Sequence, residues 1–83
     1  MLMIKVLGSG CENCKRLAWL AERAAQRLAI EAQVVKVTDY KEIMQYDILS
    51  TPGLVINEKL VSAGRIPGEA EIITFLTDAL QAA

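Results

Sequence analysis

The chain has 83 residues, with two cysteines, no histidine and a formal net charge of −1. That length suits one domain, spanning 1–83, around a thin single core, and an apolar share of 53% excludes a disordered chain. Both signs of charge are spread along the sequence, which argues against nucleic acid or an anionic membrane as a partner held by bulk charge. No apolar run approaches the roughly 18 residues of a membrane span, so no membrane insertion is expected.

Met3 to Leu7 is a short apolar run around Lys5 and predicts a buried strand. Met1 to Leu7 has no charged leader and does not read as a signal peptide, so a cytoplasmic location is expected. Gly8, Ser9 and Gly10 form the next turn. Its two glycines allow unusual backbone angles and close approach of a substrate, and Ser9 is a candidate helix cap.

Cys11 and Cys14 follow, where the strand hands over to a helix. Away from oxidising compartments, a lone pair at this spacing points to catalysis or metal binding rather than a structural staple. After a strand it reads as a dithiol/disulfide redox site. The first turn of a helix has unpaired N–H groups and a partial positive charge. A thiolate there is stabilised, its pKa falling from about 8.5 toward roughly 3.5–7.5. Cys11 is at the mouth of the helix and is the expected nucleophile. Glu12 opposes the shift, while Lys15 and the helix end favour it. Cys14 lies three residues on, on the same face, at a Cβ separation of about 5–6 Å. A disulfide wants about 3.5–4.5 Å, so a small local adjustment closes the bond.

From Glu12 to about Ala29 the chain has no proline or glycine and predicts a helix. Leu17, Ala21, Ala24 and Leu28 make its apolar stripe. Cys14 extends that stripe and should be buried. Lys15, Glu22, Arg23 and Gln26 line the other side, together with Trp19, which is either a ring lying over its neighbours or a contact for a partner. Ala32 to Val37 predicts a second strand, parallel to the first through a right-handed crossover. Asp39 and Glu42 resemble a capping box ahead of a short helix, about Tyr40 to Ile48. Thr51-Pro52-Gly53 leads into a strand at Leu54 to Ile56. Asn57-Glu58-Lys59 is a turn signal, and Leu60 to Ser62 completes a hairpin. Pro67 suits the first turn of a last helix, whose stripe is Ala70, Ile73, Leu76 and Leu80. The order is βαβαββα.

That order, with Gly-Ser-Gly-Cys-Glu-Asn-Cys opening the first helix, Ser-Thr-Pro-Gly before the hairpin and Ser-Ala-Gly-Arg before the last helix, resembles the thioredoxin fold. More narrowly, it is similar to the small prokaryotic thioredoxin/glutaredoxin-like redox-active disulfide proteins. The resemblance covers nearly the whole chain. It implies an α/β minimal thioredoxin (glutaredoxin-like) fold with a four-stranded mixed sheet flanked by helices. It also implies a thiol–disulfide oxidoreductase with Cys11 as nucleophile and Cys14 as resolving thiol, and substrate contacts at Gly10, Thr51, Pro52 and Gly64. The Thr51–Pro52 bond is then cis, presenting the Thr51 backbone to a bound peptide or glutathione. The implied partners are a protein disulfide and a reductase or other dithiol, with the chain a monomer and no cofactor beyond its own disulfide. The chain departs from the family at Glu12 and Asn13, where thioredoxins have Gly-Pro and classical glutaredoxins Pro-Tyr. Lys15 and Arg65 are either carboxylate contacts or plain surface charges.

Two other readings stay open. Heavy-metal-associated domains also place Gly-x-x-Cys-x-x-Cys at a strand-to-helix loop, and two thiolates suit Cu(I). Those domains carry methionine where Ser9 stands and run βαββαβ. A zinc site needs two further ligands that this chain lacks in the form of histidine or cysteine. The last reading is a scaffold with an idle disulfide, used for protein contact.

Overall fold

The computed structural model describes residues 2–8, 10, 12–48 and 50–82. Its order is β1 (Leu2–Leu7), α1 (Glu12–Arg27), β2 (Ala32–Val37), α2 (Tyr40–Met44), β3 (Gly53–Ile56), β4 (Lys59–Ala63) and α3 (Glu69–Ala82). The four strands form one mixed sheet in the order β2-β1-β3-β4. β1 runs parallel to β2, with Leu2 opposite Ala32 and Leu7 opposite Val37. β3 is antiparallel to both β1 and β4.

Alternation along β1 explains how the sheet is covered. Leu2, Ile4 and Val6 point to one face, where they join Leu17, Ala21 and Ala24 of α1, Leu54 and Ile56 of β3, and Ile72 and Leu76 of α3. Leu7 points to the other face and meets Val37, Ile43, Ile48 and Val55 in a smaller cluster. So two long helices cover one face, and the five residues of α2 with the segment after it cover part of the other. Lys5 shares the second face. Its ammonium binds Glu58 at 2.5 Å and the Tyr46 hydroxyl at 2.9 Å, and that hydroxyl donates to the second Glu58 oxygen at 2.9 Å.

Helix α1 stops at Arg27, two residues short of the expected Ala29. The cause is a left-handed residue, Ala29, at φ 53°. Around it the Ile30 N–H reaches back to Ala25 C=O and the Ala29 N–H to Gln26 C=O, at 3.2 and 3.0 Å. This pair of bonds is the Schellman closure of a helix end. The stripe on α1 is as expected at Cys14, Leu17, Ala21 and Ala24, all buried. Leu28 is half-buried. Trp19 stays 54% exposed, under the Arg23 guanidinium at 5.0 Å from the ring centre.

Helix α2 is also shorter than its expected Tyr40 to Ile48. Asp39 caps it by accepting from the Lys41 N–H at 3.0 Å. After Met44 the backbone N–H groups of Gln45, Tyr46 and Asp47 bond three residues back rather than four. Asp47 then turns left-handed at φ 55°. That turn frees Ile48 to fill the smaller cluster. The hairpin turn has Asn57 and Glu58 both at positive φ, 49° and 70°, the pattern of a two-residue type I′ loop. In α3 the expected stripe is rotated. Ile72 and Leu76 are fully buried, whereas Ala70 is exposed and Leu80 is 44% exposed. Pro67 is buried ahead of the helix rather than in its first turn. Gly68 C=O accepts the first helical bond, from Ile72 N–H at 3.0 Å.

Candidate active site

The β1–α1 turn sets the site. Gly8 N–H donates to Val37 C=O at 3.0 Å, which pins the turn to the end of β2. Gly10 takes φ 87° and is exposed, an angle that favours glycine. Cys14 sits in the first turn of α1, and burial leaves it 3% exposed. Glu12, Asn13 and Lys15 around it face solvent. Cys11 and the candidate cap Ser9 lie outside the described residues.

Three further positions named in the sequence converge on this turn. A Cβ built on Gly8 would overlap the Cys14 sulfur and lie 3.9 Å from Thr51 Cβ. The loop carrying Thr51 therefore packs beside Cys14. The Thr51–Pro52 peptide is cis, with Thr51 exposed and Pro52 buried. Gly64 ties down the same loop. Its N–H donates to Pro52 C=O at 2.9 Å, and a Cβ there would overlap the Ser50 hydroxyl. So Cys14, Thr51, Pro52 and Gly64, far apart in sequence, share one end of the sheet. Gly10 belongs to the same turn and points outward from it.

Beside Thr51 runs an open trough of about 360 Å³, lined by Thr38, Tyr40, Ile43, Met44, Ile48, Ser50 and Thr51. Tyr40 and Met44 at its rim are 72% and 46% exposed. Arg65 is not directed at the site. It forms a two-pronged pair with Glu71, at 3.0 and 2.7 Å. That pair raises the guanidinium's pKa and holds the carboxyl below its ordinary range. Lys15 is exposed with no such pair among the described residues.

Two residues of this end escape sequence reasoning as site residues. Gly8 reads there as a turn glycine, yet it is the one that borders the Cys14 sulfur. Ser50 reads as part of a motif, and it packs against Gly64. Neither carries a local signal, because both contacts join segments distant in the chain.

Comparisons with known proteins bear on the family and the fold. A family model described as a thioredoxin domain matches residues 2–77. A thioredoxin from Methanocaldococcus jannaschii is 36% identical over 72 residues, covering 87% of this chain and 83% of that one. A thioredoxin from Methanothermobacter thermautotrophicus is 31% identical over 77 residues, covering 93% and 100%. The solution structure of oxidised thioredoxin from Plasmodium falciparum superposes with a TM-score of 0.62 at 19% identity, over 94% of this chain and 80% of that one, and shows the shared fold. These matches give no support to a copper-binding module, whose βαββαβ order also differs from the one observed. The chain belongs to the thioredoxin family, a family of thiol–disulfide oxidoreductases.

Proposed function

We propose that this chain exchanges electrons with protein disulfides through Cys11 and Cys14. The observation that carries this reading is the seat of Cys14, buried in the first turn of α1 against Gly8, at the end of the sheet that also carries the cis Thr51–Pro52 loop. A thiol buried there is shielded from outside disulfides, which suits a resolving role. The attacking role then falls to Cys11, which precedes the helix in sequence.

In the cycle, the Cys11 thiolate attacks one sulfur of the partner's disulfide. The partner's S–S bond breaks, its other sulfur leaves as a thiolate, and a mixed disulfide forms. The Cys14 thiolate then attacks the Cys11 sulfur and expels the partner's second thiolate. The partner has gained two electrons and the Cys11–Cys14 pair has lost them. A reductase or another dithiol returns them. The cycle uses no cofactor. A reducing compartment such as the cytoplasm would keep the pair supplied, and the exposed Thr51 beside the trough would receive the partner's backbone.

The test is a redox titration in metal-free buffer, read by alkylation and mass. The expected result is a reversible two-electron transition at roughly −270 to −200 mV. Cys11→Ser should abolish disulfide reduction, and Cys14→Ser should accumulate the mixed disulfide. Failure to form an intramolecular disulfide at any poise would overturn the proposal.

A further inference from the structure

Gly8 is a glycine for a reason different from that of Gly10 and Gly64. Those two have positive φ, and Gly8 does not. Its φ lies outside the left-handed region that calls for glycine. What a side chain could not find there is room. The space a Cβ would fill is taken by the Cys14 sulfur, with Cys14 Cβ at 3.5 Å and Thr51 Cβ at 3.9 Å. The backbone cannot simply retreat. Gly8 is buried, its N–H is bonded to Val37 C=O at 3.0 Å, and Leu7 just before it is fully buried.

We propose that Gly8 is a positioning residue for Cys14: its missing side chain is the seat that holds the sulfur buried against the β1–α1 turn. The proposal deepens the reading of Cys14 as the resolving thiol and rests on it for its functional meaning. A methyl group at position 8 displaces the sulfur. The displaced sulfur either leaves its shielded position or strains the first turn of α1, because a packed interior absorbs added volume poorly. Removing the sulfur should leave the same methyl in ordinary contact with Cys14 Cβ and Thr51 Cβ. The effect of Gly8→Ala is therefore expected to depend on the sulfur, and that dependence is measurable as a coupling between neighbouring sites.

The experiment has two readouts. The first is a thermal double-mutant cycle under reductant with Gly8→Ala, Cys14→Ala and the double variant. Gly8→Ala should lower the melting temperature by several degrees with Cys14 present and by little or nothing with Cys14→Ala. If Gly8→Ala does not fold, its rescue by Cys14→Ala demonstrates the same dependence on the sulfur, and failure of that rescue overturns the proposal. The second readout is alkylation of Cys14 in a Cys11→Ser background, where it is the sole thiol. Gly8→Ala should speed the reaction severalfold. Gly68→Ala, with nothing within 4 Å of the added methyl, should leave it unchanged. An equal melting penalty in both backgrounds, or an unchanged alkylation rate, would overturn the seat. A wild-type chain that cycles reversibly while the coupling is absent refutes the seat alone. A coupling that holds in a chain with no reversible disulfide refutes the exchange reading instead.

Discussion

Ser62 shows what a single atom does in this interior. Its residue is 7% exposed, and among the described residues its hydroxyl has no hydrogen-bond partner. A buried hydroxyl left unsatisfied costs about 1–3 kcal/mol. Ser62→Ala keeps the β4 backbone and removes that cost, so it should raise the melting temperature. A lower melting temperature would mean that the hydroxyl does useful bonding. Burial of Cys14 is legible from spacing, because it continues the Leu17, Ala21 and Ala24 face at helical period. The use of Gly8 is not. Its importance is the position of a sulfur six residues later, and no local pattern encodes that distance. The pairing of Arg65 with Glu71 is hidden for a similar reason, since a lone surface cation reads the same with or without its partner.

The elements are decided at their ends. Ala29 occupies the left-handed position of the α1 closure at φ 53°. An L-residue there costs roughly 1–2 kcal/mol, against about 0.5–1 kcal/mol of extra chain entropy lost by glycine. Ala29→Gly should thus stabilise the chain by about 0.5–1 kcal/mol, read as a higher urea midpoint with an unchanged slope. No gain in midpoint would show that the angle costs little in this setting. The bounds of β2 are legible because a valine-rich run fills Ala32 to Val37, although its alternation is not clean. The end of α2 is not, since the helix tightens after Met44, three residues before Asp47 turns left-handed, and an aspartate in a run of mostly apolar residues does not by itself mark that point. In α3, apolar residues at 70, 73, 76 and 80 and at 72, 76 and 79 both make helical stripes. Packing against α1 selects the second, with Ile72 and Leu76 inside, and leaves Leu80 at the surface.

At the scale of the molecule, Lys5, Tyr46 and Glu58 join the first strand, the segment after α2 and the hairpin turn. The bonds from Lys5 and Tyr46 hold the Glu58 carboxyl below its ordinary value near 4.5 and raise the Lys5 ammonium. A depressed carboxyl favours the folded state above its unfolded pKa, and that contribution disappears as pH falls through the folded value. The chain should therefore lose stability below about pH 4.5, and Glu58→Gln should make that acid loss shallower. Glu58 is exposed while Lys5 and Tyr46 are half-buried, so salt should weaken the network. Identical acid profiles for the two proteins would show that the triad does not contribute. The fold class itself is legible because a glycine, proline or turn pair stands before α1, before β3, in the hairpin and before α3, and Asp39 caps α2; only the α1–β2 turn, closed by Ala29, lacks such a signal. The pairing of element order with cysteine position makes the family recognisable as well.

The unequal cover on the two faces of the sheet divides the molecule into regions that open at different cost. Local opening is cheapest where few buried contacts hold a segment. The side of α1 and α3 carries Cys14 on a continuous apolar layer. The side of α2 carries the Thr51 trough on a cluster of five buried residues. If the trough beside Thr51 receives a partner as proposed, that partner meets the segment that opens at lower cost, while the layer beneath Cys14 keeps its register.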